Sequence, residues 1–200
     1  MLVAIILAAG DSRRMGTPKA LLPDPDGRPF VARLARTFSS AGVDRIVIVT
    51  GALHDAIASA IAAEAPAVAT ECARNPDPSR GQLSSLWIGL DAAGSHVEGV
   101  LMIPVDIPLV RESTIREVVE SWRRTHAPIV RPAVGERHGH PVLFDRSTFD
   151  ALRHAPLSEG ARVVVHAHAN RVVNVPVDDD GCLVDVDTPA EYEAMIGKKT

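Results

Sequence analysis

Leu2-Val3-Ala4-Ile5-Ile6-Leu7-Ala8-Ala9-Gly10-Asp11-Ser12-Arg13-Arg14-Met15-Gly16-Thr17-Pro18-Lys19 begins as an unbroken apolar run and turns, at a glycine, into a polar loop carrying Arg13, Arg14 and Lys19. The run is far shorter than the roughly 20 apolar residues of a membrane helix. No Lys or Arg precedes it, and Asp11 and two arginines follow close behind, which sets it apart from a secretory leader. It reads as a strand buried on both faces, the pattern of a parallel sheet covered by helices on either side. Its last residues, Ala8, Ala9 and Gly10, are small enough to let a ligand come close to the backbone. Successive N–H groups in such a turn can cradle an anion, and ligands of open α/β sheets lie beyond the carboxyl ends of the strands. An anionic ligand is therefore expected here, although a solvated basic surface loop would look the same.

Outward from this strand, apolar β-branched runs alternate with helical patterns. Strands are predicted at Leu2–Leu7, Arg45–Thr50, Ala67–Glu71, Gly99–Pro104, Pro128–Pro132, Pro141–Phe144 and Arg171–Val177. Helices are predicted at Phe30–Ala41, Leu53–Glu64 and Gln82–Ala93, and from Thr114 to about His126. In the first of these Val31, Leu34, Ala35 and Phe38 share one face, with Pro29 at its start and Gly42 at its stop. Thr114 and Glu117 have the spacing of a capping box. The β-α-β-α order predicts a mainly parallel sheet in a three-layer α/β/α domain. Residues 128–144 loosen the rhythm and are expected to form a small antiparallel excursion. Asp24-Pro25-Asp26-Gly27 and Asp178-Asp179-Asp180-Gly181 read as turns. No repeat, low-complexity tract or linker divides the 200 residues, so one domain spanning 1–200 is expected.

Composition narrows the partners. With 46% hydrophobic and 23% charged residues the chain is an ordinary globular sequence. A formal net charge of −4 argues against duplex binding, and 4% aromatics argue against a base-stacking platform for single strands. Neither a nucleic-acid nor a membrane partner is expected. The two cysteines, Cys72 and Cys182, form no C-x-x-C pair, which suits a reducing cytoplasm.

Four further segments carry candidate chemistry. Asp106 ends the apolar run Val100-Leu101-Met102-Ile103-Pro104-Val105, on the same sheet edge as the Gly10 loop. A carboxylate there is costly to bury unless it is paired or cation-bound. Asp185 and Asp187 alternate before Thr188-Pro189-Ala190-Glu191, which reads as an N-cap, a first-turn proline and a capping-box glutamate; Asp187 is thus either a cation ligand or a helix-start carboxylate favoured by the dipole. Gly81-Gln82-Leu83-Ser84-Ser85 opens a helix with donors and acceptors, and would equally serve as an ordinary cap. Gly135-Glu136-Arg137-His138-Gly139-His140-Pro141 is a Gly- and His-rich loop whose histidines lack the further ligands that zinc requires. The Walker spacing G-x-x-x-x-G-K-[ST] and the dinucleotide fingerprint G-x-G-x-x-G are both missing.

Leu7-Ala8-Ala9-Gly10-x-Ser12-Arg13-Arg14-Met15-Gly16-x-Pro18-Lys19-Ala20-Leu21-Leu22 resembles the opening signature of the MobA-like nucleotidyltransferases, with its nearest likeness in the molybdenum cofactor (molybdopterin) cytidylyltransferase branch. The resemblance continues through Gly81-Gln82-x-Ser84-Ser85-Leu86, Pro104-Val105-Asp106-x-Pro108-Leu109, Gly139-His140-Pro141-Val142-Leu143-Phe144 and Asp185-Val186-Asp187-Thr188-Pro189-x-Glu191-Tyr192. It implies a Rossmann-like fold and a Mg2+-dependent transfer of a nucleotidyl group, CMP from CTP, to the terminal phosphate of molybdopterin with release of pyrophosphate. The weight of CTP over GTP rests on Ala9, where guanylyl-transferring relatives carry a second glycine. The resemblance makes Lys19, Arg13 and Asp106 catalytic and Asp106 and Asp187 metal ligands. It assigns nucleotide binding to Leu7, Ala8, Ala9, Gly10, Ser12, Arg13, Arg14, Met15, Gly16, Lys19, Gly81, Gln82, Ser84 and Ser85, and acceptor binding to Arg137, His140 and Pro141. A molybdenum hydroxylase apo-enzyme would receive the product. Guanylyl transfer, transfer to a sugar or polyol phosphate, and a cofactor-holding chaperone stay open as alternatives; a dinucleotide-dependent oxidoreductase is disfavoured by the missing fingerprint.

Overall fold

A computed structural model describes residues 1–12, 14–64 and 66–197. Eight strands are formed in chain order: β1 (Leu2–Ala8), β2 (Arg45–Thr50), β3 (Ala69–Arg74), β4 (Gly99–Pro104), β5 (Ile129–Val134), β6 (Arg137–His138), β7 (Val142–Asp145) and β8 (Val172–Pro176). The helices are α1 (Phe30–Ser40), α2 (His54–Glu64), α3 (Gln82–Ala93), α4 (Glu112–Thr125), α5 (Phe149–His154), α6 (Arg162–Ala167) and α7 (Pro189–Gly197). The sheet runs β3-β2-β1-β4-β7-β5-β6, with β8 paired to β5. The pairs β1–β2, β1–β4, β2–β3 and β5–β8 are parallel. β7 joins β4 and β5 antiparallel, and β6 is antiparallel to β5. The expected mainly parallel sheet with an antiparallel insertion around 128–144 is what forms.

Strand alternation sorts the core into two layers. On β1, Leu2, Ala4, Ile6 and Ala8 face the layer that holds α1 residues Phe30, Leu34 and Phe38 and α4 residues Ile115, Val118 and Trp122. Val3, Ile5 and Leu7 face the other way, toward α3 residues Leu83, Leu86 and Leu90 and α5 residue Leu152. Val3, Ala4, Ile5 and Ile6 are fully buried, as a central strand covered on both faces requires. The order places β1 beside β4, with Leu7 opposite Pro104, so the loops leaving their carboxyl ends are neighbours. Among the described residues no helix is long and apolar enough to cross a membrane.

The structure corrects several element readings. The third strand lies later than predicted, at Ala69–Arg74, because Pro66 and the bend after it delay the extended segment. α5 and α6 lie between the strands predicted at Pro141–Phe144 and Arg171–Val177, where no helix was assigned bounds; each is six residues long, too short to show the i, i+3, i+4, i+7 pattern. α4 begins at Glu112, so Thr114 already lies inside the first turn. Its hydroxyl donates to Asp179 Oδ2 at 2.6 Å instead of closing a capping box with Glu117. The box at Thr188 does form: Thr188 N donates to Glu191 Oε2 at 2.8 Å and Glu191 N to Thr188 Oγ1 at 3.3 Å.

Candidate active site

The loop after β1 is held in a tight turn. Ser12 adopts φ +52, and its carbonyl accepts from both Met15 N and Gly16 N at 3.1 Å. A left-handed conformation at a residue other than glycine is kept only where its surroundings fix it, and here the Ser12 hydroxyl also accepts from Lys19 N at 3.0 Å. Pro18 then starts a short 3-10 turn, Lys19–Leu21. The result is a lysine that is only 8% exposed, with its stem packed and its ammonium aimed across the sheet edge.

Lys19 Nζ donates to Asp106 Oδ2 at 3.0 Å and to Asp187 Oδ1. Arg14 pairs with Asp187 Oδ2 at 2.7 Å while remaining largely exposed. Burial acts to lower the Lys19 pKa, but the hydrogen bond to Asp187 and the charge and hydrogen bond of Asp106 outweigh it, so the ammonium is held above its ordinary value. The hydrogen bond from Lys19, aided by its charge and by Arg14, holds the Asp187 carboxyl below its ordinary value against the opposing effect of burial. Two backbone bonds lock the framework. Val105 N donates to Leu7 O at 3.0 Å and Val186 N to Asp106 O at 2.8 Å. The fully buried Val186 side chain anchors the segment that carries Asp187.

These groups surround a cleft of about 300 Å³ at the carboxyl ends of β1 and β4. Leu7, Ala8, Ala9, Gly10 and Ser12 line it, together with the ion-paired Arg14, Lys19, Asp106 and Asp187. Gly81, Gln82 and Ser85, at the start of α3, line it as well. Gly81 has φ +96, a conformation in which a Cβ would be strained, and this lets the chain turn into α3 at the cleft. Leu53 and Pro78 also line it; neither carries a chemical signal in the sequence.

Not every candidate reaches the cleft. Met15 is 7% exposed and packs in the core, and Gly16 is an exposed turn glycine with φ +69. The Ser84 hydroxyl donates back to Gly81 O at 2.7 Å. Arg13 lies outside the described residues. Among the described residues no group of three or more His, Cys, Asp or Glu side chains gathers to hold a metal. The Asp106–Asp187 pair nevertheless suits Mg2+, an oxygen-seeking ion that commonly takes only one or two carboxylates and completes its shell with water and substrate phosphates. Their negative charge is met here by Lys19 and Arg14.

A second cavity of about 460 Å³ shares Gln82 with the first. Its walls include Met102, Val142, Phe144 and Leu157, with Arg131, His138, His140, Arg162 and His166 as basic groups. Burial pushes the His140 pKa down to about 4, only partly offset by Asp185, so this imidazole is neutral near pH 7. Gly139 is required where it stands: a Cβ would lie 2.5 Å from Cys182 O, the same carbonyl that accepts from His140 N at 2.9 Å. Arg137 and Pro141 line neither cavity. Arg137 is exposed on β6 and Pro141 is buried. The basic contribution of Arg131 and Arg162, supplied by β5 and by the start of α6, was not visible as a motif.

The chain is 32% identical over 200 residues to nicotine blue oxidoreductase of Paenarthrobacter nicotinovorans, covering 96% of this chain and 95% of that protein. It is 31% identical over 136 residues to a "probable molybdenum cofactor guanylyltransferase" of Rhodopirellula baltica, covering 64% of this chain and 59% of that one. The crystal structure of Rv0371c from Mycobacterium tuberculosis H37Rv superimposes with a TM-score of 0.79 at 29% identity, over 98% of this chain and 97% of its own. Residues 4–172 match the family described as the MobA-like NTP transferase domain, and the chain belongs to that family.

Proposed function

We propose that the protein is a Mg2+-dependent nucleotidyltransferase that moves CMP from CTP to the terminal phosphate of a molybdopterin-type acceptor. The observation that carries this reading is Lys19, held between Asp106 and Asp187 at the mouth of the β1–β4 cleft. Two carboxylates fit one Mg2+, which would supply Lewis acidity at the phosphates. Lys19 and Arg14, and Arg13 beside them in sequence, are the cations available to a polyphosphate laid over the Gly10 loop. The Ser12 hydroxyl keeps Lys19 in place by accepting from the Lys19 backbone N–H. An acceptor phosphate oxygen attacks the α-phosphorus, the bond to the β-phosphate bridging oxygen breaks, and pyrophosphate leaves. Little covalent work falls to the protein, so positioning and charge carry the rate.

The acceptor is assigned to the second cavity, where apolar walls suit a flat ring and Arg131 and Arg162 suit an anion. His140 is common to this cavity and to the acceptor loop of the sequence reading. Ala9, which lines the cleft, supports cytosine over guanine. Two free thiols, Cys72 and Cys182, accord with a reducing cytoplasm, and a molybdenum hydroxylase apo-enzyme is the proposed receiver of the product.

The test is a thermal-shift series with CTP, GTP, ATP and UTP in the presence of Mg2+. A ligand at about 100 times its Kd stabilises the native state by about 2.7 kcal/mol, which raises Tm by about 5–10 °C in a chain of this size. CTP should give the largest shift and Asp106→Ala should abolish it. A second reading, a redox enzyme, is favoured by the name of the Paenarthrobacter relative. A shift with NADPH that exceeds every nucleoside triphosphate would select it.

A further inference from the structure

Asn75 follows β3 directly and is 4% exposed. Its backbone N–H donates to Thr50 O at 2.8 Å, and its side chain is equally committed. Oδ1 accepts from Asp77 N at 3.0 Å. A backbone N–H can only donate, so this contact fixes which end of the amide is oxygen. Nδ2 therefore faces α3, where it lies 3.1 Å from Ser84 Oγ and 3.0 Å from Ser85 Oγ.

An amide NH2 only donates, so both serine oxygens act as acceptors toward Asn75 and each hydroxyl must direct its proton elsewhere. Ser84 donates to Gly81 O. Ser85 has no acceptor for its proton among the described residues, and it lines the cleft. We propose that Asn75 is a positioning residue that makes the Ser85 hydroxyl an obligate donor into the cleft, selecting a nucleotide that presents a hydrogen-bond acceptor of its nucleoside part at the α3 wall. The cations Lys19 and Arg14 are held by Asp106 and Asp187 and not by the α3 start, where Ser85 is bonded to Asn75, so the proposal gives this wall to base or ribose and not to phosphate. The inference rests on the nucleotide reading of the cleft and adds to it the polarity that the wall imposes.

Calorimetric binding of CTP and of inorganic tripolyphosphate, each with Mg2+, to wild type, Ser85→Ala, Asn75→Asp and the double variant provides the test. The Asn75→Asp carboxylate would accept from the Ser85 hydroxyl and turn its proton away from the ligand. Each single change is expected to weaken CTP about three- to tenfold, the range for one neutral hydrogen bond. Asn75→Asp should cost nothing further in the Ser85→Ala background, and tripolyphosphate affinity should not change. Should Asn75→Asp fail to fold, Asn75→Ala takes its place, with a CTP loss that likewise vanishes once Ser85 is alanine. Additive losses, which a purely structural role for Asn75 would give, overturn the proposal. So does an equal loss for tripolyphosphate, which would make the donor a phosphate reader. A wild-type protein that binds neither CTP nor tripolyphosphate overturns this proposal and the nucleotide reading together, whereas CTP binding with additive losses overturns this proposal alone.

Discussion

The backbone N–H of Val186 donates to the carbonyl oxygen of Asp106 at 2.8 Å, tying together two segments that are 80 residues apart in sequence. Through this bond the carboxylate after β4 and the carboxylate before α7 share one frame, and Val186 itself is fully buried. Val186→Ala removes two methyl groups from that anchor and should cost about 1–3 kcal/mol, between the ranges for Ile→Val and Leu→Ala. If Asp187 is a cation ligand, the variant should also raise the Mg2+ concentration needed for half-maximal turnover. An unchanged Mg2+ requirement would show that the two aspartates do not work as a pair.

Lys19 pairs with two carboxylates at once. Lys19→Met should therefore destabilise the metal-free protein by about 1–3 kcal/mol, the scale of hydrogen bonds to charged groups. Asp187→Asn should recover part of that loss in the Lys19→Met background, because the remaining like-charge conflict is removed. Urea denaturation in EDTA measures both. Strict additivity of the two changes would contradict the clamp.

The same lysine should matter most in the transition state. Lys19→Ala is expected to lower kcat about 100- to 1,000-fold, as loss of one preorganised charge donor does elsewhere. A rise in KM for the nucleotide with kcat unchanged would make Lys19 a ground-state binder.

His140 predicts an acid limb in stability. Its pKa in the folded protein is about 4 against an ordinary value of 6.5, so between these values the unfolded chain binds a proton that the folded chain refuses. Stability must then fall as pH drops from 6.5 toward 4, with a limiting slope of about 1.4 kcal/mol per pH unit for one such group. His138, lowered by burial and by Arg131, acts in the same direction. Asp187, held below its ordinary value chiefly by Lys19, has the opposite chemistry but the same sign. Its stabilisation is complete above the ordinary carboxyl value and is lost only as pH falls through the lower folded one. His140→Gln should flatten most of the slope between pH 6.5 and 4.5; an unaltered slope would mean that the imidazole is not desolvated.

Gly139→Ala would drive a Cβ against the Cys182 carbonyl and displace His140 with it. Overpacking of this kind costs about 1–3 kcal/mol. If the second cavity holds the acceptor, KM for the acceptor should rise far more than KM for CTP, and equal effects on both would detach His140 from acceptor binding.

The sheet was legible because β1, β2 and β4 are apolar on both faces, a pattern that few other structures tolerate. α5 and α6 were not, because six residues are too few to show the i, i+3, i+4, i+7 pattern. The motif residues of the Gly10 loop, Asp106 and Asp187 were visible as chemistry out of place beside apolar runs. Arg131 and Arg162 were not, since single arginines on a strand and at a helix start look like surface solvation until the fold brings them to one cavity. Asn75 escaped for a related reason: a single amide with no motif around it carries no signal, and only the folded chain shows it spent on Ser84 and Ser85.

Nucleotidyl transfer in the Lys19–Asp106–Asp187 cleft requires that pyrophosphate leave the nucleotide as the acceptor is modified. Pyrophosphate release from CTP should be followed with Mg2+ and molybdopterin, for wild type and for Asp106→Ala. Release by the wild type that depends on the acceptor and is abolished in the correctly folded Asp106→Ala protein is the expected result. Release undiminished by that substitution, or no release from any nucleoside triphosphate, would contradict the account.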